Sequence, residues 1–307
     1  MKKIIVTGGT GLVGQALKKV VGNDSRFFFL SSKDCNLLQY DKAYETIKSI
    51  QPDFVVHLAA NVGGVFKNIN KKVEMFEDNL LINFNILKIC RELNVEKFLG
   101  CLSTCIFPDK TTYPISEEML FNGPPHYSNY GYAYSKRMLE IHCRVCREQY
   151  GLNYNCIIPT NIYGPYDNFN FENAHVIPAL IHKCYLANQT NEPFVVSGTG
   201  RPKRQFLYSI DLAKIILNLI NFEFNETIII SPSEEFSIKD VAEIIANKFN
   251  YIENIKFDTT KSDGQYKKTA SNYRLMKIMP DFKFTEISVG LNSTIDWFLD
   301  NQSIARL

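Results

Sequence analysis

An α/β protein, with a doubly wound parallel sheet and a smaller α+β C-terminal domain, is what three features of the 307-residue sequence predict. Short apolar runs of β character alternate with helix-length amphipathic segments through the first half. A glycine-rich turn stands directly between the first such run and the first such helix. The alternation fades after Pro159, where a turn-rich stretch begins.

Taken in order, KIIVT precedes LVGQALKKVV, RFFFL precedes YDKAYETIKSI, and DFVVHLA precedes a long helix around LLINFNILKICREL. KFLGCLS, YAYSKRMLEIHCRVCREQY and NYNCIIP continue the rhythm. Strands that are apolar throughout, rather than alternating, are covered on both faces, as in a parallel sheet. Beyond Gly164 and Pro165 come the asparagine-rich NFNFEN, a helical HVIPALIHKCYLA and the basic, turn-rich GTGRPKRQF. FLYSIDLAKIILNLI and ETIIIS read as one more helix and strand returning to the sheet. SIKDVAEIIANKF and SVGLNSTIDWFLD are the helices of the smaller part. The expected division is residues 1–165, with 206–231 returning to them, against 166–205 and 232–307, the two parts packing around a cleft.

Thirty-four Lys and Arg against 32 Asp and Glu give a net charge of +2, with both signs interspersed. No nucleic acid or anionic membrane is expected as a partner, although a local basic pocket for a phosphorylated ligand is compatible with this balance. Eight cysteines are scattered through a chain too large to need disulfides, which predicts reduced thiols in a cytoplasm. Cys143 and Cys146 form a C-x-x-C without a second pair, so no metal is expected, and the pair reads as a coincidence on a helix surface. Glycines interrupt the N-terminal apolar run too early for a signal-peptide core, and no stretch approaches the roughly 18 apolar residues of a membrane span.

The turn TGGTGLVG holds Gly8, Gly9, Thr10, Gly11, Leu12, Val13 and Gly14. Glycines at 8, 11 and 14 permit a tight turn, a close backbone approach to a pyrophosphate at the helix N-terminus, and close packing of helix on sheet. Strand, turn and helix together predict a Rossmann-type dinucleotide site. After the second strand the chain reads SSKD. Ser31, Ser32 and Lys33 suit a 2′-phosphate and hence NADP(H); the alternative is that Lys33 is a solvated charge and Asp34 holds the ribose.

Tyr132 and Lys136 are four apart on an expected helix and so share a face. An ammonium beside a phenol favours the phenolate, which predicts a Tyr132 pKa below its usual value of about 10. Ser103, at the end of an earlier strand, completes a Ser/Tyr/Lys set for proton transfer to a carbonyl oxygen.

The G-x-x-G-x-x-G spacing and this triad resemble the extended short-chain dehydrogenase/reductase superfamily. Longer strings are similar to its GDP-L-fucose synthase branch, the GDP-4-keto-6-deoxy-mannose epimerase-reductases: HLAANVGGVFKN, LSTCIFPDKTTYPI, IPTNIYGPYDNFN, HVIPALIHK, RQFLYS and FDTTKSDGQYKKTASN. The resemblance implies reduction of the C4 ketone of a GDP-linked keto sugar with NADPH, epimerisation at C3 and C5, and a homodimer. It implies cofactor contacts from the glycine loop, Thr104, Lys136, Pro159, Asn161, Ile162 and His175. Cys105 and His175 become the acid/base pair of epimerisation, and Lys183, Arg204, Asp263 and Lys268 the substrate-binding residues. A ketone at C4 acidifies the protons on C3 and C5, and Cys and His are suited to exchanging them. The bland alternatives are packing for Cys105 and helix capping for His175.

Relatives in this branch carry tryptophan where this chain has Ser197 in VVSGTG. That change suits either a bulkier sugar such as a heptose, reduced at C4 without inversion, or neutral drift with repacking. A catalytically silent NADP-binding regulator is the reading from a different class, and the complete Ser103, Tyr132 and Lys136 set argues against it.

Overall fold

The computed structural model describes residues 1–263 and 265–307, with the backbone alone at Val65 and Phe66. In chain order the first half forms β1 (Ile4–Thr7), α1 (Leu12–Val21), β2 (Phe27–Leu30), α2 (Tyr40–Ile50), β3 (Phe54–His57), α3 (Val65–Asn70), α4 (Lys72–Glu92), β4 (Lys97–Cys101), α5 (Tyr130–Tyr150) and β5 (Asn153–Pro159). There follow β6 (Asn161–Tyr163), α6 (Val176–Thr190), β7 (Phe194–Ser197), β8 (Lys203–Arg204), β9 (Phe206–Tyr208), α7 (Ser209–Asn221) and β10 (Ile228–Ile230). The chain ends with β11 (Phe236–Ser237), α8 (Ile238–Lys248), β12 (Ile255–Asp258), α9 (Tyr273–Ile278) and α10 (Ile287–Asp300).

Six strands build one parallel sheet in the order β2-β1-β3-β4-β5-β10. The apolar runs IIVT and FVVH are buried along their whole length because helices cover both faces. On one face Ile47, Ile86, Ile89 and Leu139 pack against Ile5, Phe98 and Tyr154. On the other, Leu17, Ile215 and Ile216 pack against Val6, Leu99 and Ile157. The strand order reverses between β1, whose other neighbour is β2, and β3, so loops leaving the carboxyl ends of β1 and β3 diverge and open a crevice.

A separate core holds the C-terminal elements, where Phe169, Ile181, Phe194, Val241, Ile295 and Phe298 meet. Three two-stranded sheets, β6-β9, β7-β12 and β8-β11, tie it together. Ser237 and Asp240 close a capping box at the start of α8. The C-terminal segment is not confined to this core. Leu275 of α9, with Ile278 and Met279, joins the core under the large sheet, and Ala270 bridges to Ile115. An apolar face on a short helix packs wherever a complementary surface lies, which chain order does not reveal.

The C-x-x-C pair does not lie on the helix surface. Cys143 and Cys146 lie on the buried face of α5, and the Cys143 thiol meets Cys156 at 3.6 Å. They are spaced by three residues because α5 presents that face to the sheet. No group of metal-ligating side chains occurs among the described residues, and no helix there is long and apolar enough to cross a membrane.

Candidate active site

β1 hands the chain to Gly8 at φ +71°, where a Cβ would stand 2.8 Å from the Ala59 nitrogen. At Gly14 a Cβ would stand 2.5 Å from the Gly8 carbonyl oxygen, so the first turn of α1 can lie on the loop only with glycine there. Gly11 caps α1 without a side-chain hydrogen bond, which leaves the first-turn N–H groups for an anion. Gly8, Thr10, Gly11, Leu12, Val13 and Gly14 line a cleft of about 580 Å³, together with Ser31 and Ser32. Gly9 instead packs its Cα against Phe29. Asp34 is occupied locally, its Oδ2 accepting from the Ser31 hydroxyl at 2.6 Å and the Ser31 N–H at 2.9 Å. These bonds hold its carboxyl below the usual range, and the exposed Lys33 beside it adds to the effect. Lys33 itself is not among the residues lining the cleft.

The far wall begins where β4 ends. Lys136 Nζ donates to the Cys101 carbonyl at 2.8 Å, which staples α5 to the end of that strand. Lys136 is 2% exposed, and its Nζ lies 5.8 Å from the centre of the Tyr132 ring. Ser103 follows in extended conformation, and its hydroxyl accepts from the Cys105 N–H at 3.4 Å, opening a short 3-10 turn over 104–106. Ser103, Thr104, Tyr132, Lys136, Pro159, Asn161, Ile162 and His175 thus line the same cleft as the glycine loop.

Charge within the cleft is governed by burial. Tyr132 is pushed well above 10, with Cys105 and Cys101 adding to the rise, which reverses the direction expected from its neighbouring ammonium. Burial outweighs the nearby ammonium, whose Nζ donates to the Cys101 carbonyl and whose own pKa burial lowers. Tyr132 is therefore held as the neutral phenol. Burial also raises Cys105, against the opposing influence of Lys268, the Ser103 hydroxyl and Lys136. His175 sits at the N-cap of α6 without capping it. It is exposed, and desolvation by the protein around it lowers its imidazole pKa. His175 lines the cleft, whereas the half-buried Cys105 beside Thr104 is not among its lining residues.

A buried relay of hydrogen bonds supports this floor. The Thr7 hydroxyl lies 2.8 Å from His57 Nδ1, His57 Nε2 lies 3.0 Å from Asn83 Oδ1, and Asn83 Nδ2 donates to the Ser135 carbonyl at 3.3 Å. Asn83 donates with its amide nitrogen, so its oxygen accepts from Nε2–H, and the Thr7 hydroxyl then donates to Nδ1. Burial, with Lys136 adding to it, lowers His57 to about 3 and keeps it neutral.

The expected substrate residues lie outside this cleft. Lys268 is lowered by burial, with the charged Arg204 and Asp109 and the Cys105 thiol as its neighbours. Arg204 donates to the Gln265 carbonyl at 2.6 Å. Lys183 is half-buried on α6. Asp263 instead closes the 198–200 turn, accepting from the Thr199 N–H at 2.6 Å and hydroxyl at 2.7 Å. Ser197 ends β7 with its side chain exposed. None of these five is among the residues lining the 580 Å³ cleft. Asp167, Asn168, Asn173 and Arg306 do line it and were not foreseen. A carboxylate beside Gly-Pro in IPTNIYGPYDNFN was the available signal for Asp167; Arg306 carried none.

A dinucleotide loop facing a Ser/Tyr/Lys set defines a class, and residues 4–230 match the NAD dependent epimerase/dehydratase family, to which this chain belongs. It is 48% identical over 312 residues to a GDP-L-fucose synthase of Dictyostelium discoideum, covering 99% of this chain and 98% of that one. A probable GDP-L-fucose synthase of Drosophila melanogaster is 45% identical, with both chains covered in full. The crystal structure of a GDP-L-fucose synthetase from Naegleria fowleri bound to NADP matches with a TM-score of 0.94 at 46% identity, covering 100% of this chain and 95% of that one.

Proposed function

We propose that this chain is an NADPH-dependent epimerase-reductase that converts GDP-4-keto-6-deoxymannose to GDP-L-fucose. One observation carries the reading: the glycine loop, Ser103, Tyr132, Lys136 and His175 share a single cleft. The end-to-end similarity to GDP-L-fucose synthases names the sugar. Uncapped N–H groups at the start of α1, and Ser31 and Ser32 with Asp34 held away, fit the pyrophosphate and 2′-phosphate of NADP.

When bound, the cofactor supplies a hydride to C4. Tyr132 gives its proton to the ketone oxygen, Ser103 donates a hydrogen bond to that oxygen, and Lys136 stabilises the negative charge left on the phenol. Before reduction, Cys105 and His175 remove and return the protons on C3 and C5, which the ketone makes acidic. Arg204 and Lys268 supply positive charge for the diphosphate, and Lys183 adds to it. The full-length similarity to GDP-L-fucose synthases favours the 6-deoxyhexose over the heptose alternative. Apolar Leu81 and Phe84 of α4, and Met138 and Val145 of α5, are exposed and suit a homodimer formed through these helices.

The test is loss of NADPH absorbance on mixing with GDP-4-keto-6-deoxymannose, with NMR of the product. The L-fuco configuration and a lower KM for NADPH than for NADH are expected. No oxidation of NADPH, or a product inverted at neither C3 nor C5, would overturn the reading.

A further inference from the structure

Among the cleft residues that take no part in this chemistry is a buried carboxyl group. Asp167 is 4% exposed and lines the cleft beside Asn168, Asn173, His175 and Arg306. Its Oδ1 accepts from the Asn168 N–H at 2.7 Å, while its Oδ2 is buried and has no hydrogen-bond partner among the described residues. Buried carboxylate oxygens are normally satisfied, because leaving one unpaired forfeits its hydration without replacement.

The backbone is strained to put it there. Tyr166, a non-glycine residue, takes a left-handed conformation at φ +67° immediately before Asp167. The C-terminal segment holds this turn in place. Arg306 Nη2 donates to the Tyr166 carbonyl at 2.6 Å, and the Arg306 carbonyl accepts from the Phe169 N–H at 2.8 Å. The Tyr166 ring lies 4.6 Å from that of Trp297, and the Phe169 ring 4.6 Å from that of Phe298. A strained turn, clamped from two sides, that buries an unpaired acceptor at the edge of a binding cleft is what a ligand contact requires.

We propose that Asp167 Oδ2 accepts a hydrogen bond from an uncharged O–H or N–H donor of a molecule bound in this cleft, and so sets that molecule's orientation over Ser103 and Tyr132. This rests on the NADPH-dependent sugar-ketone reading. Two sources carry such donors: the hydroxyls of the sugar, and the carboxamide and ribose hydroxyls of the cofactor. Burial pushes the Asp167 carboxyl up to about 7, opposed by the Asn168 N–H and the Arg306 charge; His175 shares the cleft. Only the ionised carboxylate offers Oδ2 purely as an acceptor. Affinity for the ligand concerned therefore rises as pH rises through about 7, by about tenfold between pH 6 and pH 8.

The experiment is isothermal titration of the full chain and of Asp167→Asn and Asp167→Ala with NADP⁺ and, separately, with GDP-L-fucose, at pH 6 and pH 8. Asparagine keeps the size and an acceptor oxygen that does not titrate. Expected is that one ligand shows the tenfold pH effect with the wild type, about tenfold less of it with Asp167→Asn, and a roughly tenfold weaker Kd with Asp167→Ala at pH 8. An effect on NADP⁺ alone assigns the donor to the cofactor, and on GDP-L-fucose alone to the sugar. If both variants bind both ligands as the wild type does at both pH values, the proposal is overturned. Should Asp167→Ala fail to fold, the altered pH dependence of Asp167→Asn decides. Failure of the wild type itself to oxidise NADPH with the keto sugar sinks the functional reading instead, whatever the variants bind.

Discussion

His57 makes the stability of this protein depend on pH in a way that can be worked from the structure. The ring is fully buried between Thr7 and Asn83, and burial lowers its pKa from 6.5 to about 3. An unfolded chain takes up a proton on this ring as pH falls through 6.5, whereas the folded one does not until about pH 3. The contribution of His57 is therefore fully present above pH 6.5 and is lost progressively as pH falls from 6.5 toward 3. At pH 5 the loss is about 2 kcal/mol, from about 1.4 kcal/mol per pH unit over roughly 1.5 units. With about 2.1 cal/mol/K of unfolding entropy per residue, a chain of this length loses about 3 °C in Tm. The perturbation is His57→Gln, which cannot titrate and keeps a donor and an acceptor. Thermal unfolding of both proteins at pH 7.5 and pH 5 is the assay, and every other titrating group is common to the two. The wild type is expected to lose about 3 °C more than the variant over that interval. Parallel losses would refute the claim that a neutral, sequestered imidazole lies beneath the glycine loop.

Tyr132→Phe removes the proton donor but not the cofactor wall, so kcat should fall by about 10²–10⁴-fold with the Kd for NADP⁺ little changed; near-normal turnover would refute its role. Cys105→Ser should abolish deuterium uptake at C3 and C5 from D₂O in the absence of NADPH, uptake the wild type shows by NMR. If the wild type shows none, epimerisation is not its activity. Gly14→Ala places a methyl 2.5 Å from the Gly8 carbonyl and must displace the loop. It should weaken NADP⁺ binding by tenfold or more, about 1.4 kcal/mol, read by titration, and an unchanged Kd would mean that the loop does not hold the pyrophosphate. Phe84→Asp puts a charge on the exposed α4 face, where the Phe84 ring stacks on His142 at 5.5 Å. Sedimentation should then show monomer where the wild type shows dimer; a wild-type monomer removes that interface.

Much of the architecture was legible because parallel strands buried on both faces must be apolar throughout. IIVT, FVVH and III could occupy no exposed position without large cost, and all three lie in the sheet. The glycine loop was legible for a steric reason that depends only on local geometry. Tyr132 and Lys136 were legible as a pair because a helix fixes which residues share a face. Cys143 and Cys146 obeyed the same geometry but on the inward face, since spacing by three says that two residues are neighbours and not which way they point.

What the sequence by itself determined was therefore the order of elements, the dinucleotide turn and the Tyr132/Lys136 pairing, all set by interactions within a few residues of one another. Tertiary structure alone decided their charge and their company. Burial, a property of the whole fold, sets the direction of the Tyr132 pKa, with Lys136 Nζ engaged by the Cys101 carbonyl. Asp34 looked free to hold a ribose until Ser31 engaged it. Arg306, almost at the chain's end, holds the turn that carries Asp167, across a separation in sequence that no local pattern spans. Long-range packing places those groups, and an unpaired oxygen becomes visible only when every neighbour that might have paired with it is in place.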